Sequence, residues 1–129
     1  MPLTAFDHVN IRTVNLPEMV AWYDTVLGLR SGDRPEFHVP GAWLYLGDSC
    51  VLHLIEADPA PAVHSEDESL RMEHIAFRAE GMKEFTRHLE EHDVTFKLFP
   101  FEALGIVLVF IRDPDGNRLH IDFKATEAA

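Results

Sequence analysis

Hydrophobic and polar positions along the chain follow two periods in turn. In "FDHVNIRTV" they alternate, with Val9 and Ile11 on one side and His8, Asn10 and Arg12 on the other, as in a strand with one buried face. In "NLPEMVAWYDTVLGL" the apolar residues Met19, Trp22, Tyr23, Val26 and Leu27 recur every three or four positions, which predicts an amphipathic helix. Asn15 suits its N-cap, Pro17 and Glu18 its first turn, and Gly28 its end. Short strands are expected next, roughly over 29–38 and at "AWLYLG" and "CVLHLIE". The stretch "ADPAPAVHSEDES" then reads as a connector, because its prolines, serines and acidic residues carry neither period.

After the connector the same order of patterns restarts. "MEHIAFRA" alternates, with His74, Ala76 and Arg78 opposite Ile75 and Phe77, and "EGMKEFTRHLEEHDV" carries a helical stripe of Met82, Phe85 and Leu89. Three strand candidates follow: "VTFKLFPF", "GIVLVFIR" and "NRLHIDF". His74 lies 66 residues after His8, and His120 lies 67 after His53. The helices and the apolar alternation shift by nearly the same distance, so duplication of a β-α-β-β-β unit accounts for the spacing better than chance pairs among eight histidines. The expected organisation is one α+β domain, with a module over 1–57, a connector over 58–70, a second module over 71–124 and a short tail over 125–129.

The last strand carries the most telling chemistry. In "DPDGNRLHIDF" four turn-formers, with Pro114 presetting the chain and Gly116 free to take a positive φ, should feed a strand with Leu119, Ile121 and Phe123 on one face. His120 and Asp122 then share the other face, an imidazole beside a carboxylate.

Composition narrows the partners. At 129 residues, 47% hydrophobic and 26% charged, the chain is long enough for a real core and too apolar for a disordered tail. The net charge of -11 offers no basic stripe to a phosphate backbone, so nucleic acid is not an expected partner. No apolar run approaches the ~20 residues of a membrane helix. The single Cys50 excludes an internal disulfide, and "MPLTAFDHVN" lacks the features of a secretory leader; a cytoplasmic location is expected.

The sequence resembles the vicinal oxygen chelate superfamily, the group of glyoxalase I, bleomycin-resistance proteins, fosfomycin-resistance enzymes and extradiol dioxygenases. The resemblance spans nearly the whole chain and rests on "FDHVNIRTVNLPEMVAWYDTVLGL", "MEHIAFRA" and above all the Asp-Pro-Asp-Gly-Asn turn before the last strand. It implies that two βαβββ modules form a curved, mixed eight-stranded sheet, or cup, with the helices outside. It implies a divalent metal (Zn, Fe, Ni or Mn) on ligands from first and last strands, positions that fall here on His8, His53, His74 and His120. Glyoxalase-like members usually place carboxylates at the last-strand positions, where this chain has His53 and His120. It also implies a homodimer and a small-molecule substrate. The expected function is a metal-dependent enzyme, a lyase, isomerase or dioxygenase, acting on a small oxygenated metabolite by bidentate chelation. The alternative is a non-catalytic protein that sequesters a drug or metabolite in the cup.

Chemistry supports this reading, and each residue also has a plain one. Neutral imidazoles leave the full +2 charge on a metal, favouring polarisation of vicinal oxygens, whereas a lone strand histidine is commonly structural. Asp122 is placed to orient a ligand or act as a base. Arg12, beside Asn10, offers a fork of donors to an anionic substrate group, as does Arg78, unless both merely make surface ion pairs. Tyr45 and Trp43 line an aromatic pocket or pack in the core. His88 and His92 have a spacing that can hold zinc, but they share the Glu-rich helix of "RHLEEHD", where a solvated face is expected.

Overall fold

The computed structural model describes residues 2, 4–57 and 72–128, which form two compact units. The connector expected over 58–70 lies outside the described residues. The first unit runs β1 (Val9–Thr13), α1 (Leu16–Leu27), β2 (Arg30–Ser31), β3 (Gly41–Leu46) and β4 (Ser49–Glu56). The second runs β5 (Ile75–Arg78), α2 (Met82–Glu91), β6 (Lys97–Phe101), β7 (Ile106–Arg112) and β8 (Arg118–Lys124). The strand orders, β1-β4-β3-β2 and β5-β8-β7-β6, are the same order applied twice, so the α+β fold of two βαβββ modules holds, each with its own four-stranded mixed sheet.

In each sheet the first strand runs parallel to the last and the others pair antiparallel. A parallel pair needs a crossover, and the helix supplies its start. Helix α1 buries Met19, Tyr23 and Val26, and the sheet beside it buries Ala42, Leu44, Leu52 and Leu54. Helix α2 buries Met82 and Leu89 and sets Phe85 against Phe123, with ring centroids 5.6 Å apart. Gly28 ends α1 in the left-handed region, its N–H bonding the Asp24 carbonyl while Leu29 bonds back to Tyr23. Asn15 holds the cap position of α1 but makes no capping bond with its side chain. No helix among the described residues is long and apolar enough to cross a membrane.

The strand expected over 29–38 shrinks to Arg30–Ser31. Gly32 still donates to the Trp43 carbonyl at 3.0 Å, but Pro35, which lacks an N–H, follows three residues later, and the chain leaves the sheet edge. Gly32 also has no room for a side chain: a Cβ there would come within 2.8 Å of the Tyr45 ring.

The Asp-Pro-Asp-Gly-Asn turn is built around one carboxylate. Buried Asp113 accepts from the backbone N–H of Asp115 and Asn117 at 3.0 and 2.9 Å and from the Asn117 amide at 2.8 Å, while Gly116 takes φ +86°. The turn sets the β7–β8 register that pairs Phe110 with His120 and Leu108 with Asp122.

Residues 125–128, expected as a tail, form a short 3-10 turn with a definite role. The α2 cap residue, Gly81, has no side chain, and the Glu127 carboxylate replaces it, accepting from the N–H of Gly81 and Met82 at 2.8 and 3.1 Å.

Candidate functional site

Alternation gives each sheet a helix-covered apolar face and an opposite face with polar residues. On β1 and β4 the pairing of Asn10 with His53 puts His8, Asn10, Arg12 and His53 on that second face, with Trp43 opposite His53 on β3. On β5 and β8, Ala76 pairs with His120 and Arg78 with Asp122, which places His74, Arg78, His120 and Asp122 together. The register is the same in both modules: the first-strand histidine stands two residues before the residue that faces the last-strand histidine. Each module thus brings its own two histidines into ring contact, at 3.7 Å for His8 and His53 and 4.4 Å for His74 and His120.

The pairs differ in geometry. The rings of His74 and His120 are tilted by 48° rather than stacked. Nδ1 of His120 lies 2.5 Å from Oδ1 of Asp122, leaving Nε2 as the outward nitrogen. Both side chains are shielded, at 11% and 17% exposure. Phe110 closes one side of the imidazole, its centroid 5.4 Å away.

His8 and His53 lie nearly parallel, 13° apart, and Trp43 continues the stack on His53 at 4.2 Å and 10°. Planes so nearly parallel do not meet within the ~2.0 to 2.1 Å of a Zn–N bond, so His8 and His53 share an ion only after one ring turns. His8 has its own carboxylate partner, Asp7, at 2.7 Å, but Asp7 is 89% exposed and its hold is correspondingly weaker. Burial holds the His53 pKa below its ordinary value, with the neighbouring His8 adding to the effect, and this favours the neutral imidazole. Among the described residues no three His, Cys, Asp or Glu side chains converge as a ready-made metal cluster; the donors come as pairs. Within each unit the paired imidazoles, His74 with His120 and His8 with His53, are donors of the type that suits a borderline divalent ion.

The substrate-binding candidates separate. Arg12 and Asn10 are exposed on the histidine-bearing face. Arg78 lines a cleft of about 390 Å³ with Glu80, Asp122, Lys124 and Phe123. Tyr45 is already engaged, its hydroxyl donating to the Asp33 carbonyl at 2.6 Å and its ring covering Gly32, so it braces the β2 edge. Cys50 is a half-buried thiol whose pKa is pushed up by burial and by Asp7, the opposite of an activated nucleophile. Sequence reasoning missed Asp7, Phe110 and the stacking role of Trp43. Asp7 is legible as the neighbour of His8, whereas the other two depend on cross-strand register.

The sequence model of the Glyoxalase/Bleomycin resistance protein/Dioxygenase superfamily matches residues 5–121. A protein named Glyoxylase I 4, from Arabidopsis thaliana, is 32% identical over 128 residues, covering 92% of this chain and 70% of its own. Lactoylglutathione lyase of Salmonella typhimurium is 26% identical over 119 residues, 88% of each chain. Among solved structures, a glyoxalase family protein from Enterococcus faecalis superposes with a TM-score of 0.75 at 29% identity, covering 95% of this chain and 99% of that one.

Proposed function

The chain belongs to the glyoxalase/bleomycin resistance protein/dioxygenase superfamily, and within it we propose a metal-dependent lyase or isomerase that acts on a small molecule carrying two adjacent oxygens. The observation that carries this reading is the repeated histidine register, with Asp122 holding Nδ1 of His120 in the second module. The proposed metal ligands are imidazole nitrogens of the paired histidines, His74 with His120 in the second module and, in the first, His8 with His53 once its ring turns out of the stack. A divalent metal bound there supplies Lewis acidity toward vicinal oxygens. Asp122 is a positioning residue, since its carboxylate is committed to the His120 ring. Arg12, with Asn10, and Arg78 hold an anionic group of the substrate. Trp43 and Phe110 limit ring motion and keep water from the imidazole faces.

Relatives named lactoylglutathione lyase support testing thioesters of 2-hydroxy acids first. The reading includes a cytoplasmic homodimer; the edge strand β6, with Leu98, Phe99 and Phe101 exposed, supports pairing of copies. Elemental analysis of the purified chain, with turnover of lactoylglutathione before and after chelation, tests the proposal. Close to one divalent ion per chain and chelator-sensitive turnover are expected. A chain that refuses Zn, Ni, Mn and Fe and still retains small molecules would instead favour sequestration, a reading that the parallel His8–His53–Trp43 stack, an aromatic platform, supports.

A further inference from the structure

Where β5 and β8 end side by side, the second module holds a cleft of about 390 Å³ whose walls include four charged residues, Arg78, Glu80, Asp122 and Lys124. Strand register explains how these charges meet. Arg78 pairs with Asp122, and the parallel ladder runs one step further, the Ala79 N–H donating to the Asp122 carbonyl at 3.0 Å. Lys124 follows Asp122 by two residues and shares its strand face, and Ile106, which pairs with Lys124, adds an apolar wall.

Three of these charges are uncommitted. Among the described residues the side chains of Arg78, Glu80 and Lys124 have no hydrogen-bond or ion-pair partner, and all three are exposed. Asp122 is engaged, its Oδ1 on Nδ1 of His120. In a chain of net charge -11, two cations left open beside one cleft are available to a ligand. Two cations and two carboxylates balance, and the balance selects. A simple carboxylate drawn to Arg78 and Lys124 meets Glu80 and Asp122 within the same walls, and a simple ammonium drawn to the acids meets the cations. A group that carries both signs is attracted at both ends.

We infer that this cleft binds a zwitterionic α-amino-acid group, with its carboxylate against Arg78 and Lys124, its ammonium against Glu80, and its apolar substituent along Ile106 and Ala79. Calling that group one end of the substrate rests on the lyase or isomerase reading above; the binding itself does not. Lys124 thereby becomes a second anchor beside Arg78, and Glu80 the residue that selects against plain anions.

The test is an NMR titration of the full-length chain, stripped of metal so that no ion chelates the probes, with L-norvaline, pentanoate and butylammonium. Each of the last two lacks one charge of the first. L-Norvaline should shift the backbone amides of residues 78–80 and 122–124 saturably and bind more tightly than either analogue. Arg78→Gln and Lys124→Gln should each weaken L-norvaline by about 5-fold, the effect of losing one exposed ion pair at the upper end of its range. Glu80→Gln should weaken L-norvaline and at the same time strengthen pentanoate, because a repelling carboxylate is gone; a merely structural change would move both the same way. Unchanged resonances elsewhere should show that the variants fold. Absence of saturable shifts at these amides, L-norvaline binding no tighter than pentanoate, or parental binding in all three variants would overturn the site. Because no metal is present, each of these outcomes is independent of whether the histidines of the sheets bind an ion.

Discussion

The Asp122 carboxylate stands 2.5 Å from Nδ1 of His120, two residues away on the same strand face. Period-two alternation puts them on one side, and the shielding of both keeps the bond from exchanging freely with water. Asp122→Ala should therefore weaken metal binding by about 10- to 100-fold, the usual cost of losing a ligand's orienting partner. Asp122→Asn keeps an acceptor oxygen and should lose less. Competition with a chromophoric chelator measures both. An Asn variant with parental metal affinity and no turnover would instead make Asp122 a base.

The stacked and tilted pairs should respond differently to truncation. His8→Ala and His74→Ala should each lower metal binding by the pair to which the residue belongs, whereas His53→Ala should reduce affinity less, because its ring starts in a stack that does not point at an ion shared with His8. Elemental analysis after dialysis ranks the three. Equal losses would show that His53 leaves the stack at little cost.

Stability of the metal-free chain should depend on His53. Its pKa is depressed in the fold by burial and by His8, so the unfolded chain binds more protons through the window from about 6.5 downward. The associated stability is present above that value and is lost as pH falls toward the depressed folded value. His53→Phe keeps a ring in the stack and removes the titration. Denaturant melts between about pH 7 and 5 should show a shallower pH slope for the variant; an unchanged slope would assign it to other groups.

Removing the carboxylate that caps α2 should be felt at a distance in sequence. Glu127→Ala leaves the N–H groups of Gly81 and Met82 without this partner and should cost about 0.5 to 2 kcal/mol, as loss of a capping side chain does. Urea unfolding measures it. Hydrogen exchange at the α2 N-terminus should rise in the same variant.

The proposed lyase or isomerase chemistry needs no oxygen. An oxygen electrode should show no consumption with thioester or diketone substrates when Zn, Ni or Mn is bound. Sustained uptake with Fe(II) and catechol-like compounds would move the reaction to the dioxygenase branch.

The sequence by itself determined what is local and repeated. Alternation placed His8 with Arg12 and His120 with Asp122, helical spacing placed Met19 with Tyr23, and the 66- and 67-residue offsets disclosed the duplication, because these patterns depend only on strand and helix geometry along the chain. The turn residues of 113–117 were legible for the same reason, Asp113 closing bonds within four residues of itself. Tertiary structure decided what depends on strand register and side-chain rotation. Whether two histidines lie parallel or inclined, whether Trp43 extends a stack, and whether Glu127 reaches a helix 45 residues away follow from contacts that no periodicity encodes. The His88–His92 pair stands between these cases: its spacing was visible, but only the fold showed the bond from the His92 ring to the His88 carbonyl.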